Sequence, residues 1–352
     1  MDEKFFRGKR VFVTGHTGFK GTWLCKMLEL MGADVTGYAL PPASPDGAEV
    51  FSSSGVAAGM QSILGDIRDY EHLWQAFSAC QPEIVLHLAA QPIVLESYRD
   101  PLGTYSTNVM GTVHILECIR RISGVKSFLN VTTDKVYKNQ EWIWGYRENE
   151  PLDGFDPYSN SKSCSELVTH SYKNSFFADR TVAVSTARAG NVIGGGDFAV
   201  NRILPDCIRA AYAGQEIQVR NPHSVRPYQH VLEPLYAYLM ICQAQYAEGA
   251  KAGFYNVGPD EDDCVTTQQL VELFCQCWGN GMAWKDVSVD APHEAKFLKL
   301  DCSLLKSVFQ WRPRWHISEA VARTVEWAKA YQAGEDTAAC MEMQIREFLQ
   351  HK

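Results

Sequence analysis

Val11-Phe-Val-Thr-Gly15-His-Thr-Gly18-Phe-Lys-Gly21 decides the fold of this chain: a short apolar run passes through three glycines spaced three apart, and a helical pattern begins near Thr22. Glycine permits the sharp turn, lets the backbone approach a pyrophosphate and lets the helix pack on the strand. The helix N-terminus adds unpaired N–H groups and positive dipole. Gly15, His16, Thr17, Gly18, Phe19, Lys20 and Gly21 are therefore the candidate cradle of a dinucleotide. The spacing is G-x-x-G-x-x-G, one residue more in the first turn than the commoner dinucleotide fingerprint, and such turns are frequent between strands and helices. The surrounding chain has to decide.

Outward from the turn, short apolar runs alternate with helical patterns. Strands are expected at Arg10 to Thr14, Asp34 to Tyr38, Gln61 to Leu64, Ile84 to Leu88, Ser127 to Thr132 and Thr181 to Arg188. Helices fall between them, at Thr22 to Met31, Tyr70 to Ala79, Pro101 to Arg121 and Tyr158 to Phe177. This alternation predicts an α/β protein with a Rossmann-type doubly wound parallel sheet. Pro41 to Gly59 reads as a loop. Beyond Gly190 glycine, proline and tryptophan punctuate shorter elements, which predicts a smaller mixed α/β lobe for substrate. The expected division is residues 1–190 for the cofactor, with the chain returning to that part around 226–258, and residues 191–352 mainly for substrate.

With 352 residues and 46% hydrophobic content the chain can bury a large core. A net charge of −8 argues against sequence-independent nucleic-acid binding. The start Met1-Asp-Glu-Lys-Phe-Phe-Arg7 lacks the apolar core of a signal peptide, and no apolar run approaches the roughly 18 residues of a membrane span. A cytoplasmic protein without membrane or nucleic-acid partners is expected. The 11 scattered cysteines and ten histidines show no ligand spacing, so neither a metal nor a disulfide framework is predicted.

Ligands of an open parallel sheet lie beyond the carboxyl ends of its strands. The second strand ends at Tyr38 without an acid for an adenosine ribose, which leaves NAD and NADP both open. The third leads to Gly65-Asp66-Ile67, where Asp66 can meet an adenine amino group or simply lie in the turn before an N-cap at Asp69. Leu88, Ala89 and Ala90 close the fourth strand as candidate cofactor contacts, the small alanines letting a cofactor approach the backbone. The fifth ends at Thr132-Thr133-Asp134-Lys135. Tyr158 and Lys162, four apart, share one helix face, and an ammonium there is expected to lower the tyrosine pKa from its usual ~10. Such a tyrosine takes a proton from a sugar hydroxyl while a nicotinamide takes hydride.

The ordered motifs Thr14-Gly-His-Thr-Gly-Phe-Lys-Gly21, Leu88-Ala-Ala-Gln-Pro92, Thr132-Thr-Asp-Lys-Val-Tyr137, Arg188-Ala-Gly-Asn-Val-Ile-Gly-Gly-Gly-Asp197 and Arg226-Pro-Tyr-Gln-His-Val231 cover nearly the whole chain. Together they resemble the extended short-chain dehydrogenase/reductases, in the nucleotide-sugar 4,6-dehydratase branch, and within it the enzymes that act on CDP-glucose. The resemblance implies tightly bound NAD, regenerated in each cycle, and a homodimer built on the helices that start at Pro101 and Tyr158. It implies oxidation at sugar carbon 4 by Tyr158, Lys162 and Thr133, then water loss across carbons 5 and 6. Asp134 matches the acid. Lys135 stands where many relatives carry a glutamate base, so it is expected to be the base, to stabilise an enolate, or merely to pair with a carboxylate such as Glu148. Gln91, Asn191, Arg202, Arg209 and Arg226 are expected to face the substrate, while His16 and His230 make structural hydrogen bonds. The Glu294 to Asp301 stretch resembles a strand at the nucleotide end. A 4-epimerase and a catalytically silent NAD(P)-binding protein are the competing readings of the same scaffold.

Overall fold

The computed structural model describes residues 1–42, 50–178, 182–288 and 298–351. Its main sheet contains β1 (Arg10–Thr14), β2 (Asp34–Ala39), β3 (Gln61–Leu64), β4 (Ile84–His87), β5 (Ser127–Thr133), β6 (Ala183–Ala189) and β11 (Phe254–Val257). All pair in parallel, in the order β11-β6-β5-β4-β1-β2-β3. The reversal between β1 and β4 opens a crevice above their carboxyl ends. Strand starts agree with the sequence reading wherever they are described; Thr181 lies outside the described residues. The last strand, β11, was not predicted as a strand, although a return of the chain near it was.

Side chains of the central strands alternate between two buried layers. Val11, Val13, Leu129 and Val131 join one apolar cluster with Trp23, Leu24 and Met27 of α1 (Phe19–Leu30). Phe12, Val85 and Phe128 join the opposite one with Leu73 and Phe77 of α2 (Tyr70–Cys80). Because both faces are covered, the strands read as continuous apolar runs.

The helix expected at Pro101 to Arg121 is divided. After α3 (Val94–Arg99), α4 (Pro101–Tyr105) passes through a π-helical turn, Ser106–Met110, into α5 (Gly111–Arg121). Asn108 in that turn bonds Ser161 (2.9 Å) and Gln91 (backbone O, 3.1 Å), so side-chain bonding to the neighbouring helix accompanies the wider turn. Leu116 and Ile119 of α5, on one of the helices to which the resemblance assigns a homodimer, are fully buried in the intrachain core. The loop reading of Pro41 to Gly59 also changes where it is described: residues 50–53 are helical and Val56–Gly59 is a 3₁₀ turn.

After β6 the chain forms short pairings between β7 (Val192–Ile193) and β10 (Gln229–His230), β9 (Val225–Pro227) and β12 (Cys264–Thr266), and β8 (Ile217–Val219) and β13 (Trp284–Asp286). Ile208, Val219, Val271, Phe274 and Val321 form a third apolar cluster around them. Among the described residues no helix is long and apolar enough to cross a membrane.

Candidate active site

The glycine turn is fixed by backbone contact. Gly15 has φ of +78°, and a side chain there would place Cβ 2.8 Å from the Ala89 nitrogen. Its neighbour Thr14 accepts the N–H groups of Leu88 and Ala89 through Oγ1, each at 3.1 Å. A Cβ on Gly21 would lie 2.0 Å from the Gly15 carbonyl oxygen. Helix α1 starts at Phe19, earlier than expected, because extended Gly18 is its N-cap. No side chain caps that end and no acid occupies its first turn, which suits the open N–H groups to a pyrophosphate.

Around this cradle, His16 bonds Ser62 through Nε2 at 2.7 Å, and burial pulls its pKa down to about 4. Thr17 donates to the Leu40 carbonyl at 2.8 Å. Ile67 packs against Gly111, and Leu88, Ala89 and Ala90 are half-buried. The Asp66 carboxylate is engaged by Arg68, which holds its pKa low, while Asp69 caps α2 by accepting from His72 N.

At the end of β5, Thr133 Oγ1 donates to Asp134 Oδ1 at 2.9 Å. Lys135 Nζ is 3.7 Å from the same oxygen, so its carboxylate partner is Asp134 and not Glu148. Asp134 is 1% exposed and its Oδ2 has no hydrogen-bond partner among the described residues. The next element is α6 (Pro157–Phe176), where Asp156 accepts from Ser159 N at 3.0 Å and Pro157 occupies the first turn. That cap fixes the start of the helix at Pro157 and sets Tyr158 in its first turn.

Lys162 sits one turn later and donates to the Val131 carbonyl at 3.1 Å. Burial pushes the Tyr158 phenol up to about 12, against the hydrogen bond with Thr133, while nearby Asp134 also raises it. This reverses the expected lowering: removal from water outweighs the opposing contacts. Burial, with repulsion from Lys20, pulls the Lys162 amine down to about 7. Neutral phenol with neutral amine and phenolate with ammonium hold the same number of protons, so a proton shift interconverts them.

The expected substrate side divides into two groups. Asn191 follows Gly190, which itself borders the Asp134 carboxyl: a Cβ on Gly190 would stand 3.3 Å from Asp134 Oδ2. Arg202 pairs with Asp197 at 3.1 Å and influences the charges of both Tyr158 and Lys20. Arg226 is buried in β9 opposite Val265 and donates to the Val225 carbonyl. Arg209 instead pairs with Asp206 and donates to Phe198 and Ala199 carbonyls, bracing the loop before Arg202. The Gln91 amide is engaged by Thr104 and Ile93, outside the charged cluster.

Sequence reasoning missed Asp197 and Glu166 as parts of this region. Asp197 follows Gly196, whose φ is +83°. Glu166 is four residues beyond Lys162, a spacing that signals the same helix face. Fully buried, it accepts from Thr132, Thr186 and Arg188, with Arg188 at 2.9 Å. Burial works to raise its pKa, but Arg188 and these hydrogen bonds hold it at about 2.

His230 packs against Trp23 and Trp315, and its Nδ1 accepts from Leu232 N at 3.3 Å. A separate cleft of about 520 Å³ is lined by Trp142, Trp144, Arg147, Lys299 and Lys306. Its Lys299, Lys306 and Arg147 are paired with Glu261, Asp260 and Asp301. Residues 294–297 of the expected nucleotide-end strand lie outside the described residues; Leu300 forms an isolated parallel bridge with Tyr146.

A family model described as GDP-mannose 4,6 dehydratase matches residues 12–324. The chain is 48% identical to a CDP-glucose 4,6-dehydratase of Salmonella typhimurium over 356 aligned residues, covering 99% of this chain and 98% of that protein. It is 28% identical to a dTDP-glucose 4,6-dehydratase of Streptomyces antibioticus, covering 75% of each chain. The dTDP-glucose 4,6-dehydratase of Bacillus anthracis, solved in complex with NAD, superposes with a TM-score of 0.77 at 20% identity, covering 93% of this chain and 99% of that one. A Thermotoga maritima UDP-glucose 4-epimerase gives 0.79 at 22% identity over 91% and 99%. These two structural matches show the shared fold.

Proposed function

The chain belongs to the GDP-mannose 4,6 dehydratase family, and on that premise we propose that it is an NAD-dependent CDP-glucose 4,6-dehydratase, forming CDP-4-keto-6-deoxyglucose and water. The observation that carries this reading is Asp134, with Lys135 at 3.7 Å, placed at the same site as Tyr158 and Lys162. A 4-epimerase needs the tyrosine but no acid–base pair for water loss.

NAD held on Gly15, Gly18 and Gly21 supplies a reversible hydride acceptor. Tyr158 removes the proton from the carbon-4 hydroxyl, oriented by Thr133, while Lys162 stabilises the phenolate. The carbon-4 ketone acidifies carbon 5. Lys135 takes the carbon-5 proton, Asp134 donates a proton to the departing carbon-6 hydroxyl, and the hydride that left carbon 4 returns to carbon 6 while Lys135 gives its proton back to carbon 5. Arg202, Arg226 and Asn191 serve the diphosphate-linked sugar, with guanidinium groups suited to phosphate oxygens. In this reading residues 1–190, together with the return around 226–258, serve the cofactor, and 191–352 mainly serve the substrate. The enzyme works in the cytoplasm. Exposed Leu102, Met110, Leu167 and Phe176 on the helices flanking the sheet support a homodimer.

Incubation with CDP-, dTDP-, UDP- and GDP-glucose in the presence of NAD, followed by mass spectrometry, tests the assignment. Loss of one water from CDP-glucose is expected. An isomer of unchanged mass would favour the epimerase, and no reaction with any sugar would favour the silent binding protein.

A further inference from the structure

Tyr158, Lys162 and Glu166 follow one another at intervals of four along α6 and so share one face of that helix. This face meets three consecutive residues at the end of β5. Lys162 Nζ donates to the Val131 carbonyl at 3.1 Å, Thr132 Oγ1 donates to Glu166 Oε1 at 2.5 Å, and Tyr158 bonds Thr133. Tyr158 and Lys162 change charge as the sugar is oxidised; Glu166 does not. Its other oxygen is fixed from β6 by Thr186 at 2.8 Å and Arg188 at 2.9 Å, and these contacts keep the carboxyl ionised. Thr132 is 4% exposed and Glu166 is fully buried, so their hydrogen bond is charge-assisted and shielded from water. The alternative acceptor for the Thr132 hydroxyl, the Ala187 carbonyl, is farther away at 3.5 Å.

We propose that Thr132 is a positioning residue for the oxidation step: its hydrogen bond to Glu166 anchors the end of β5 on α6 and keeps Val131 and Thr133 aligned with Lys162 and Tyr158 while proton and hydride leave carbon 4. The role rests on the reading of Tyr158 and Lys162 as the oxidising pair and deepens it. Thr186 provides the matched comparison. Its hydroxyl donates to the same buried carboxylate, but from β6, which carries neither the carbonyl that receives Lys162 nor the hydroxyl that meets Tyr158. Both threonines therefore help to hold Glu166, and Thr132 alone transmits that anchor to the site.

Single-turnover reduction of NAD by CDP-glucose at saturating NAD tests the role in Thr132→Val, Thr132→Cys, Thr132→Ser and Thr186→Val. Thr132→Val should slow reduction about 10²-fold, the cost of a small misalignment of reacting groups. Thr132→Cys, with its weak thiol donor, should fall between that variant and wild type, and Thr132→Ser should stay close to wild type. Thr186→Val should lower the thermal unfolding midpoint about as much as Thr132→Val yet reduce NAD at nearly the wild-type rate. Equal slowing in Thr132→Val and Thr186→Val would make the contact one of fold stability alone and overturn the proposal. An unchanged rate in Thr132→Val, or a Thr132→Ser as slow as Thr132→Val, would do the same. Should Thr132→Val not fold, Thr132→Cys against Thr132→Ser carries the comparison.

A second readout needs no turnover. In protein labelled with [ε-¹³C]lysine, the Lys162 resonance, assigned by its absence in Lys162→Met, should titrate about half a pH unit lower in Thr132→Val than in wild type or Thr186→Val, because a displaced Val131 carbonyl no longer favours the ammonium. A common midpoint in all three proteins would contradict the alignment. If wild type reduces no cofactor with any nucleotide sugar, the functional reading fails, and this titration still decides whether Thr132 aligns Lys162.

Discussion

At Tyr158 burial and chemistry oppose one another: the ring is 8% exposed and its phenol is held at about 12, yet its proposed task is to accept a proton. Thr133 and Lys162 are the groups that can reverse this balance as the substrate hydroxyl approaches. Tyr158→Phe should therefore abolish reduction of bound NAD by CDP-glucose, with about a 10²–10⁴-fold loss of turnover, measured by nicotinamide absorbance in a single turnover. Lys135→Ala should separate the steps, leaving that reduction intact while water loss stalls and reduced cofactor accumulates. Normal product formation by the variant would remove Lys135 from the acid–base role. Glu166 acts at the same scale through packing. Glu166→Gln leaves Arg188 buried without its carboxylate and should destabilise the fold by about 3–5 kcal/mol in denaturant unfolding.

The elements align these residues through a hydrogen-bonded series beneath the crevice. Thr14 bonds His87 at 2.7 Å, His87 bonds Thr112 at 3.3 Å, Thr112 bonds Ser165 at 2.9 Å, and Asn130 donates to Ser165 at 2.9 Å. The glycine turn, the α5 helix, helix α6 and β5 are thus joined by polar contacts within a mostly apolar domain. Gly21→Ala tests the turn, since its Cβ would meet the Gly15 carbonyl oxygen at 2.0 Å. The variant should purify with little NAD and bind it much more weakly, as read by cofactor content and titration; retained affinity would show that another segment holds the pyrophosphate.

The turn, the central strands and the Tyr158–Lys162 face were legible because glycine spacing, apolar runs and helical periodicity are local signals. The π-helical turn was not, since its side-chain bonds run to Ser161 and Gln91, distant in sequence. Nor could sequence give the sign of the Tyr158 shift, which depends on how completely the folded molecule removes the ring from water. Gln91 and Arg209 carry suitable substrate-binding chemistry, but their local partners emerge only with the loops in place.

Across the whole molecule, three buried histidines link stability to pH. Burial is the main reason that His16 falls to about 4 and His87 and His230 to about 3. Each is neutral in the folded chain, whereas its unfolded counterpart takes a proton near pH 6.5. Their stabilising contribution is present above that pH and is lost as pH falls toward the folded pKa values. At pH 5 each histidine should have lost about 2 kcal/mol. Thermal unfolding from pH 7 to 5 should show a falling midpoint, reduced in slope by His230→Phe; a flat profile for wild type would refute the linkage.

The same molecule is proposed to oxidise carbon 4 and reduce carbon 6 within one catalytic cycle. CDP-[4-²H]glucose tests that claim most directly, with the product examined by mass spectrometry and NMR. The expected product has lost one water and carries the deuterium at carbon 6. Water loss with deuterium absent from carbon 6, or a product still labelled at carbon 4 without water loss, would contradict it.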